Sequence, residues 1–113
     1  MNLSSPITYF PITIGQTRLV QRGDSFTLFN KDVQWMHYNQ RTHFEADDFQ
    51  TEILLAHGKC ITSGLGLGIK ESLLAQKPEV TEITVYERNE DVIEMFRIFT
   101  KKSNIDILSL IHI

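Results

Sequence analysis

The fold of this chain is decided by residues 59–76, which read KCITSGLGLGIKESLLAQ. The first five residues favour a short β-strand, and the three glycines Gly64, Gly66 and Gly68 favour a tight turn directly after it. Residues 69–76 have the composition of a helix. The stretch therefore predicts a strand that turns sharply into a helix.

A second strand and a second helix follow this turn. Lys77-Pro78 ends the first helix, and β-forming residues over 80–86 lead to Glu87. Asn89 is a good N-cap residue for the next helix, whose apolar positions recur at helical spacing. These apolar positions are Val92, Met95, Phe96 and Phe99. The sequence thus predicts an α/β fold: the first half of a Rossmann-like, doubly wound sheet, incomplete in this chain.

The glycines and Glu87 suggest a nucleoside site. Glycines after the first strand leave room for a ligand over the helix N-terminus, because they lack a Cβ atom. Glu87 lies 23 residues after Gly64, close to the spacing of about 20 at which a carboxylate accepts hydrogen bonds from ribose hydroxyls. A 2′-phosphate would be repelled, so an adenosyl ligand without it is indicated. The alternative is a tight turn of the kind found in any α/β protein.

The N-terminal part, residues 1–42, is predicted to form a β-rich segment. Turn residues separate four short predicted strands, at 12–14, 17–21, 25–29 and 33–36. The aromatic residues of this segment are predicted to belong to the core more readily than to a ligand platform. They are Tyr9, Phe10, Phe26, Phe29 and Trp35.

The predicted organisation continues with a polar connector over 37–42 and a helix over 44–56, stopped by His57-Gly58. This helix and the β-α-β-α half-domain together make up residues 43–107. His37, His43 and His57 fit no familiar metal-ligand spacing, so no metal is predicted.

Composition excludes several classes of protein. The 113 residues carry a formal net charge of -3, which offers no general attraction to nucleic acid or to an anionic membrane. No apolar run approaches the roughly 18 residues of a membrane span. The single cysteine, Cys60, lies in a predicted strand and indicates a reducing compartment, so we expect a cytoplasmic protein.

The glycine pattern departs from the dinucleotide fingerprint G-x-G-x-x-G, because Ile69 stands where its third glycine would be. It resembles instead motif I of the class I, Rossmann-like S-adenosylmethionine-dependent methyltransferases, and Val85-Tyr86-Glu87 with the following helix start resembles their second motif. The run from Ala56 to Glu87 is most similar to a phage and environmental group of these enzymes. That group is itself similar to the polyamine aminopropyltransferases.

This resemblance implies S-adenosyl-L-methionine as cofactor. It places Gly64, Leu65, Gly66 and Gly68 beneath the methionine and ribose portion. Glu87 would bind the ribose hydroxyls, and Arg88 would stand beside the adenine ring. Many of these methyltransferases have an acid two residues before the first glycine, which often engages the methionine amino group, and this chain has Thr62 there. An uncharged residue at that position is nearer to the aminopropyltransferase-like branch.

Three hypotheses of function follow. The first is a methyltransferase acting on an unidentified methyl acceptor. The second is a spermidine-synthase-like aminopropyltransferase that uses decarboxylated S-adenosylmethionine. The third is a non-catalytic nucleoside-binding module. In the methyltransferase family that this chain resembles, the residues that bind the methyl acceptor follow the fourth strand. We therefore expect this chain to be the N-terminal part of a longer enzyme, and we name no catalytic residue.

The last six residues, 108–113, read LSLIHI. They are identical to a translation of the transposon-end adapter used in sequencing libraries, so we expect the native sequence to end at residue 107. The alternative is a genuine third strand of the sheet, because the segment is apolar and β-prone.

Overall fold

Two β-sheets hold the strands of the computed structural model, which describes residues 6–41, 50–103 and 110–112. The first sheet contains β1 (Ile12–Ile14), β2 (Thr17–Arg22), β3 (Ser25–Asn30) and β4 (Val33–Asn39). The second contains β5 (Gly58–Ser63), β6 (Val80–Glu87) and β7 (Leu110–His112). The described helices are α1 (Gln50–Leu55), α2 (Ile69–Ala75) and α3 (Glu90–Lys102). None of them is long and apolar enough to cross a membrane.

The first sheet is an antiparallel meander in the order β1-β2-β3-β4, and all four predicted strands are present. The predicted connector over 37–42 is wrong in its first half, because β4 continues to Asn39. Tyr38 pairs with Phe26 across the two strands and is only 2% exposed. The burial of this aromatic pair extends the strand through residues that look polar in sequence.

The second sheet has the order β5-β6-β7, and both of its strand pairs are parallel. Helix α2 connects β5 to β6, and α3 follows β6. This arrangement confirms the predicted half of a doubly wound α/β sheet. β7 lies within the tail of six residues, and a β-prone segment would pair at this edge whatever its origin. The adapter hypothesis therefore stays a prediction.

The helix boundaries follow from hydrogen bonds at their ends. The Asn89 side chain accepts hydrogen bonds from the N–H groups of Asp91 and Val92, at 2.9 and 3.2 Å, which confirms the predicted N-cap of α3. The predicted helix over 44–56 ends at Leu55, and its first six residues lie outside the described part of the chain. The Lys77 ammonium closes α1 by donating to the carbonyls of Ile53, Leu54 and Ala56.

The residues that precede β1 join the two sheets through Tyr9. Its ring packs edge-on against Phe99 of α3 and Tyr38 of β4, at centroid distances of 5.2 and 5.6 Å. Its hydroxyl donates a buried 2.8 Å hydrogen bond to the Leu67 carbonyl in the glycine turn. Because Tyr9 contacts the meander, α3 and the turn, the residues that precede β1 support the turn directly.

We expect Tyr9→Phe to lower the free energy of unfolding by about 1 to 3 kcal/mol, because it keeps the ring and leaves the buried Leu67 carbonyl unsatisfied. Urea denaturation followed by circular dichroism measures the difference. Tyr86→Phe, a half-buried tyrosine on β6, serves as the matched control. Equal stability of Tyr9→Phe and the parent protein would show that the Leu67 carbonyl finds another donor.

Candidate functional site

A pocket of about 440 Å³ lies where β5 and β6 end, at the carboxyl edge of the parallel sheet. Four residues predicted as ligand contacts line it together: Gly64, Leu65, Gly66 and Glu87. These residues lie together because the carboxyl ends of parallel strands share one edge of a sheet. This edge is where open α/β sheets generally bind ligands.

Glu87 is buried and both of its carboxylate oxygens accept backbone hydrogen bonds. Oε1 accepts from the N–H of Leu65 at 2.7 Å, and Oε2 accepts from the N–H of Asn89 at 2.9 Å. Leu65 belongs to the glycine turn, and Asn89 caps α3. Glu87 thus connects the turn after β5 to the start of α3, a role that its position in the sequence does not reveal.

The glycines of the turn have different environments. Gly64 has a φ of +77° and open space where a Cβ would stand, so its backbone conformation requires glycine while its surroundings do not. A Cβ on Gly66 would lie 2.9 Å from the Met36 sulfur. A Cβ on Gly68, which has a φ of +71°, would overlap the Phe96 ring of α3. The space above Gly68 is therefore occupied by protein.

Two of the predicted contacts lie apart from the pocket wall. Gly68 is buried against Phe96, and Arg88 is an exposed residue directly after β6. Neither is among the residues that line the pocket in the described part of the chain. The placement of Arg88 beside an adenine ring stays a prediction.

Strand β4 of the meander supplies one wall of the pocket through Trp35 and Met36. The prediction of a core position for the aromatic residues holds for Tyr9 and Phe26, which are buried, but Trp35 is 50% exposed. Trp35 lies outside the core because the buried position of β4 is further along the strand, at Tyr38. Local sequence does not disclose this contact, since it depends on how the two sheets pack.

Glu71 lines the pocket from the first turn of α2 and is only 5% exposed. Burial raises the pKa of its carboxyl from the ordinary value to about 7, although its own backbone N–H, the Lys70 charge and the Thr62 hydroxyl act in the opposite direction. The nearby Glu87 charge raises it further. The sequence alone does not single out Glu71, because an acid in the first turn of a helix is ordinary.

Two buried polar atoms of this region have no hydrogen-bond partner among the described residues. They are Oε2 of Glu71 and Oγ1 of Thr62. Buried polar atoms in folded proteins are nearly always hydrogen-bonded, and one of these two atoms belongs to a residue that lines the pocket.

The raised pKa of Glu71 predicts a specific pH dependence of stability. The folded state holds this proton more tightly than the unfolded state, so the carboxyl opposes folding increasingly as the pH rises from about 4.5 to 7. We expect the free energy of unfolding of Glu71→Gln, relative to the parent, to rise over this range by up to about 3 kcal/mol.

Urea denaturation of both proteins at pH 4.5, 6 and 8 measures this difference, and any constant cost of the glutamine cancels in the comparison. Glu82→Gln, an exposed acid on β6, is the control. A difference that is independent of pH, or that falls as the pH rises, would contradict the raised pKa.

The meander, the parallel half-sheet and the pocket at its carboxyl edge define an incomplete Rossmann-like α/β protein. A comparison of structures finds the spermidine synthase of Thermotoga maritima, with a TM-score of 0.55 and 16% sequence identity. The match covers 95% of this chain and 41% of that enzyme, so the chain spans less than half of its length. At this identity the likeness shows the fold. Neither a protein-family model nor a curated protein matches the sequence.

Proposed function

We propose that this chain is the cofactor-binding part of an S-adenosylmethionine-dependent methyltransferase. The observation that carries the proposal is the meeting of the turn Gly64-Leu65-Gly66 with Glu87 in one pocket at the carboxyl edge of the parallel sheet. The function of the whole enzyme, including its methyl acceptor, belongs to the proposal.

The residues of the pocket fit an adenosyl ligand. A carboxylate offers about four lone-pair positions, and two backbone N–H groups occupy two of those on Glu87. The other positions are available to the ribose hydroxyls. Because the same carboxylate holds the Leu65 N–H, the turn and the ribose-binding group are positioned relative to each other before a ligand enters.

S-adenosylmethionine would supply an activated methyl group, and transfer of that group needs chiefly alignment of the acceptor with the sulfonium carbon. The described residues contribute to this alignment by fixing the cofactor. Glu87 and the glycine turn would hold the nucleoside, and the apolar side chains of Met36, Leu65 and Ile69 would exclude water from part of the pocket.

Aminopropyl transfer is the second candidate function. The structural likeness to a spermidine synthase favours it, and so does Thr62, which is uncharged as in the aminopropyltransferase-like branch. The corresponding cofactor would be decarboxylated S-adenosylmethionine. A non-catalytic nucleoside-binding module is the third candidate and uses the same pocket.

Calorimetric titration tests the proposal. S-adenosylhomocysteine, its decarboxylated form and an NADP control are titrated into the protein. Saturable binding of S-adenosylhomocysteine in preference to the other two is the result expected for a methyltransferase. Tighter binding of the decarboxylated form would favour aminopropyl transfer. Absence of binding by all adenosyl thioethers would remove the cofactor assignment.

The cellular location is part of the same proposal. A single cysteine, Cys60, agrees with a reducing compartment, and we propose the cytoplasm. Its half-buried side chain lies in β5, as predicted.

A further inference from the structure

We propose that the Glu71 carboxyl group, assisted by the Thr62 hydroxyl, receives the primary amine of the bound ligand. This inference rests on the proposed function, because it assigns a place to the amino end of an adenosyl thioether. It makes Glu71 a specificity-determining residue, distinct from the nucleoside-binding Glu87.

The geometry carries the assignment. Glu71 lines the pocket while being 5% exposed, and its Oε2 atom has no hydrogen-bond partner among the described residues. Thr62 lies on β5 just before the glycine turn and behind the residues that line the pocket. It is 9% exposed, and its Oγ1 atom also has no hydrogen-bond partner among the described residues. A buried acceptor without a donor is costly, and a ligand that brings donors removes this cost.

The chemistry of Glu71 Oε2 and Thr62 Oγ1 indicates which ligand group they bind. A hard divalent cation takes about six or more oxygen ligands, which is more than the Glu71 carboxylate and the Thr62 hydroxyl supply. An alkylammonium has three N–H donors and one positive charge. It can therefore donate to Glu71 and to Thr62 together, and its charge is matched by one carboxylate.

Charges on the neighbouring elements are compatible with a cation at this place. Lys70 precedes Glu71 on α2 and forms a 3.3 Å ion pair with Glu52 of α1. Glu87 of β6 adds a nearby negative charge, and β5 contributes the neutral Thr62. The facing charged groups are thus two carboxylates and one lysine whose charge is shared with Glu52.

Binding of the amine changes the protonation state of Glu71. An alkylammonium enters with its own proton, because it is fully charged at neutral pH. A protonated Glu71 must then lose its proton to solvent as the ion pair forms, and no proton passes between ligand and protein. Since the pKa of Glu71 is about 7, roughly half a proton per ligand should be released at pH 7.

Isothermal titration at pH 7 in buffers of different ionisation enthalpy measures this release on the unaltered protein. Two ligands are compared: S-adenosylhomocysteine, which carries the amine, and methylthioadenosine, which lacks it. We expect about half a proton released with the first and none with the second. Absence of release, together with binding of S-adenosylhomocysteine that is no tighter than binding of methylthioadenosine, would overturn the assignment without requiring any variant to fold.

Glu71→Gln is then titrated with the same two ligands. We expect its affinity for S-adenosylhomocysteine to fall by about 10- to 100-fold and its affinity for methylthioadenosine to be unchanged. Glu82→Gln, on the exposed face of β6, should leave both affinities unchanged. An equal loss for both ligands would show that Glu71 supports the pocket and does not bind the amine.

The pair of ligands also separates this inference from the proposed function. If methylthioadenosine binds and the amine of S-adenosylhomocysteine contributes neither affinity nor proton release, the adenosyl site stands and the role of Glu71 is wrong. If neither ligand binds, both proposals fail.

Discussion

Replacing Glu87 by alanine is expected to lower the free energy of unfolding by about 3 to 6 kcal/mol and to abolish adenosyl binding. The stability loss follows because two backbone N–H groups, of Leu65 and Asn89, lose a charged acceptor at once. A hydrogen bond to a charged group contributes about 1.5 to 3 kcal/mol. The binding loss follows from the proposed contact with the ribose hydroxyls.

Urea denaturation and calorimetry with S-adenosylhomocysteine measure the two effects. Glu82→Ala is the control, because Glu82 lies on the same strand and is exposed. Glu87→Gln is a second, smaller change. Its amide oxygen still accepts one of the two backbone hydrogen bonds, whereas its NH₂ group faces the other backbone N–H and cannot accept from it. A Glu87→Ala protein as stable as the parent would refute the role of this residue in joining the turn to α3.

Replacing Gly68 by alanine is expected to cost about 4 kcal/mol of unfolding free energy. The left-handed backbone conformation accounts for about 1 to 2 kcal/mol, and the overlap of the new methyl group with the buried Phe96 ring accounts for the rest. Gly64→Ala is the matched control. Gly64 has nearly the same φ but open space at its Cβ position, so we expect it to lose only the backbone contribution.

Thermal or urea denaturation of the two variants measures the difference. A second change, Phe96→Leu in the Gly68→Ala background, is expected to recover part of the loss, because the smaller side chain makes room for the methyl group. Equal losses at Gly64 and Gly68 would show that Phe96 moves aside and that the glycine turn is required for its backbone conformation alone.

The fold could be predicted from local patterns. Strand formers before Gly64, helix formers after Gly68 and the acid-ended strand over Val80–Glu87 indicate a β-α-β unit without any knowledge of packing. The N-cap at Asn89 is a local hydrogen-bond arrangement and was equally predictable. The end of β4 was not, because Tyr38 is held in the strand by Phe26 of the neighbouring strand.

The site could be predicted only in part. Gly64, Leu65, Gly66 and Glu87 share a pocket because topology brings the carboxyl ends of parallel strands together. Trp35, Met36 and Glu71 complete the wall, and their contribution depends on the packing of the meander and on the burial of one side of α2.

The sequence by itself determined the order of the elements, the place of the tight turn and the acid at the end of β6, because each of these depends on neighbours along the chain. Only the tertiary structure decided that Gly68 faces Phe96, that Glu87 holds the turn to α3, and that Glu71 is a buried carboxyl in the pocket. The physical reason is that burial, steric contact and pKa depend on atoms distant in sequence.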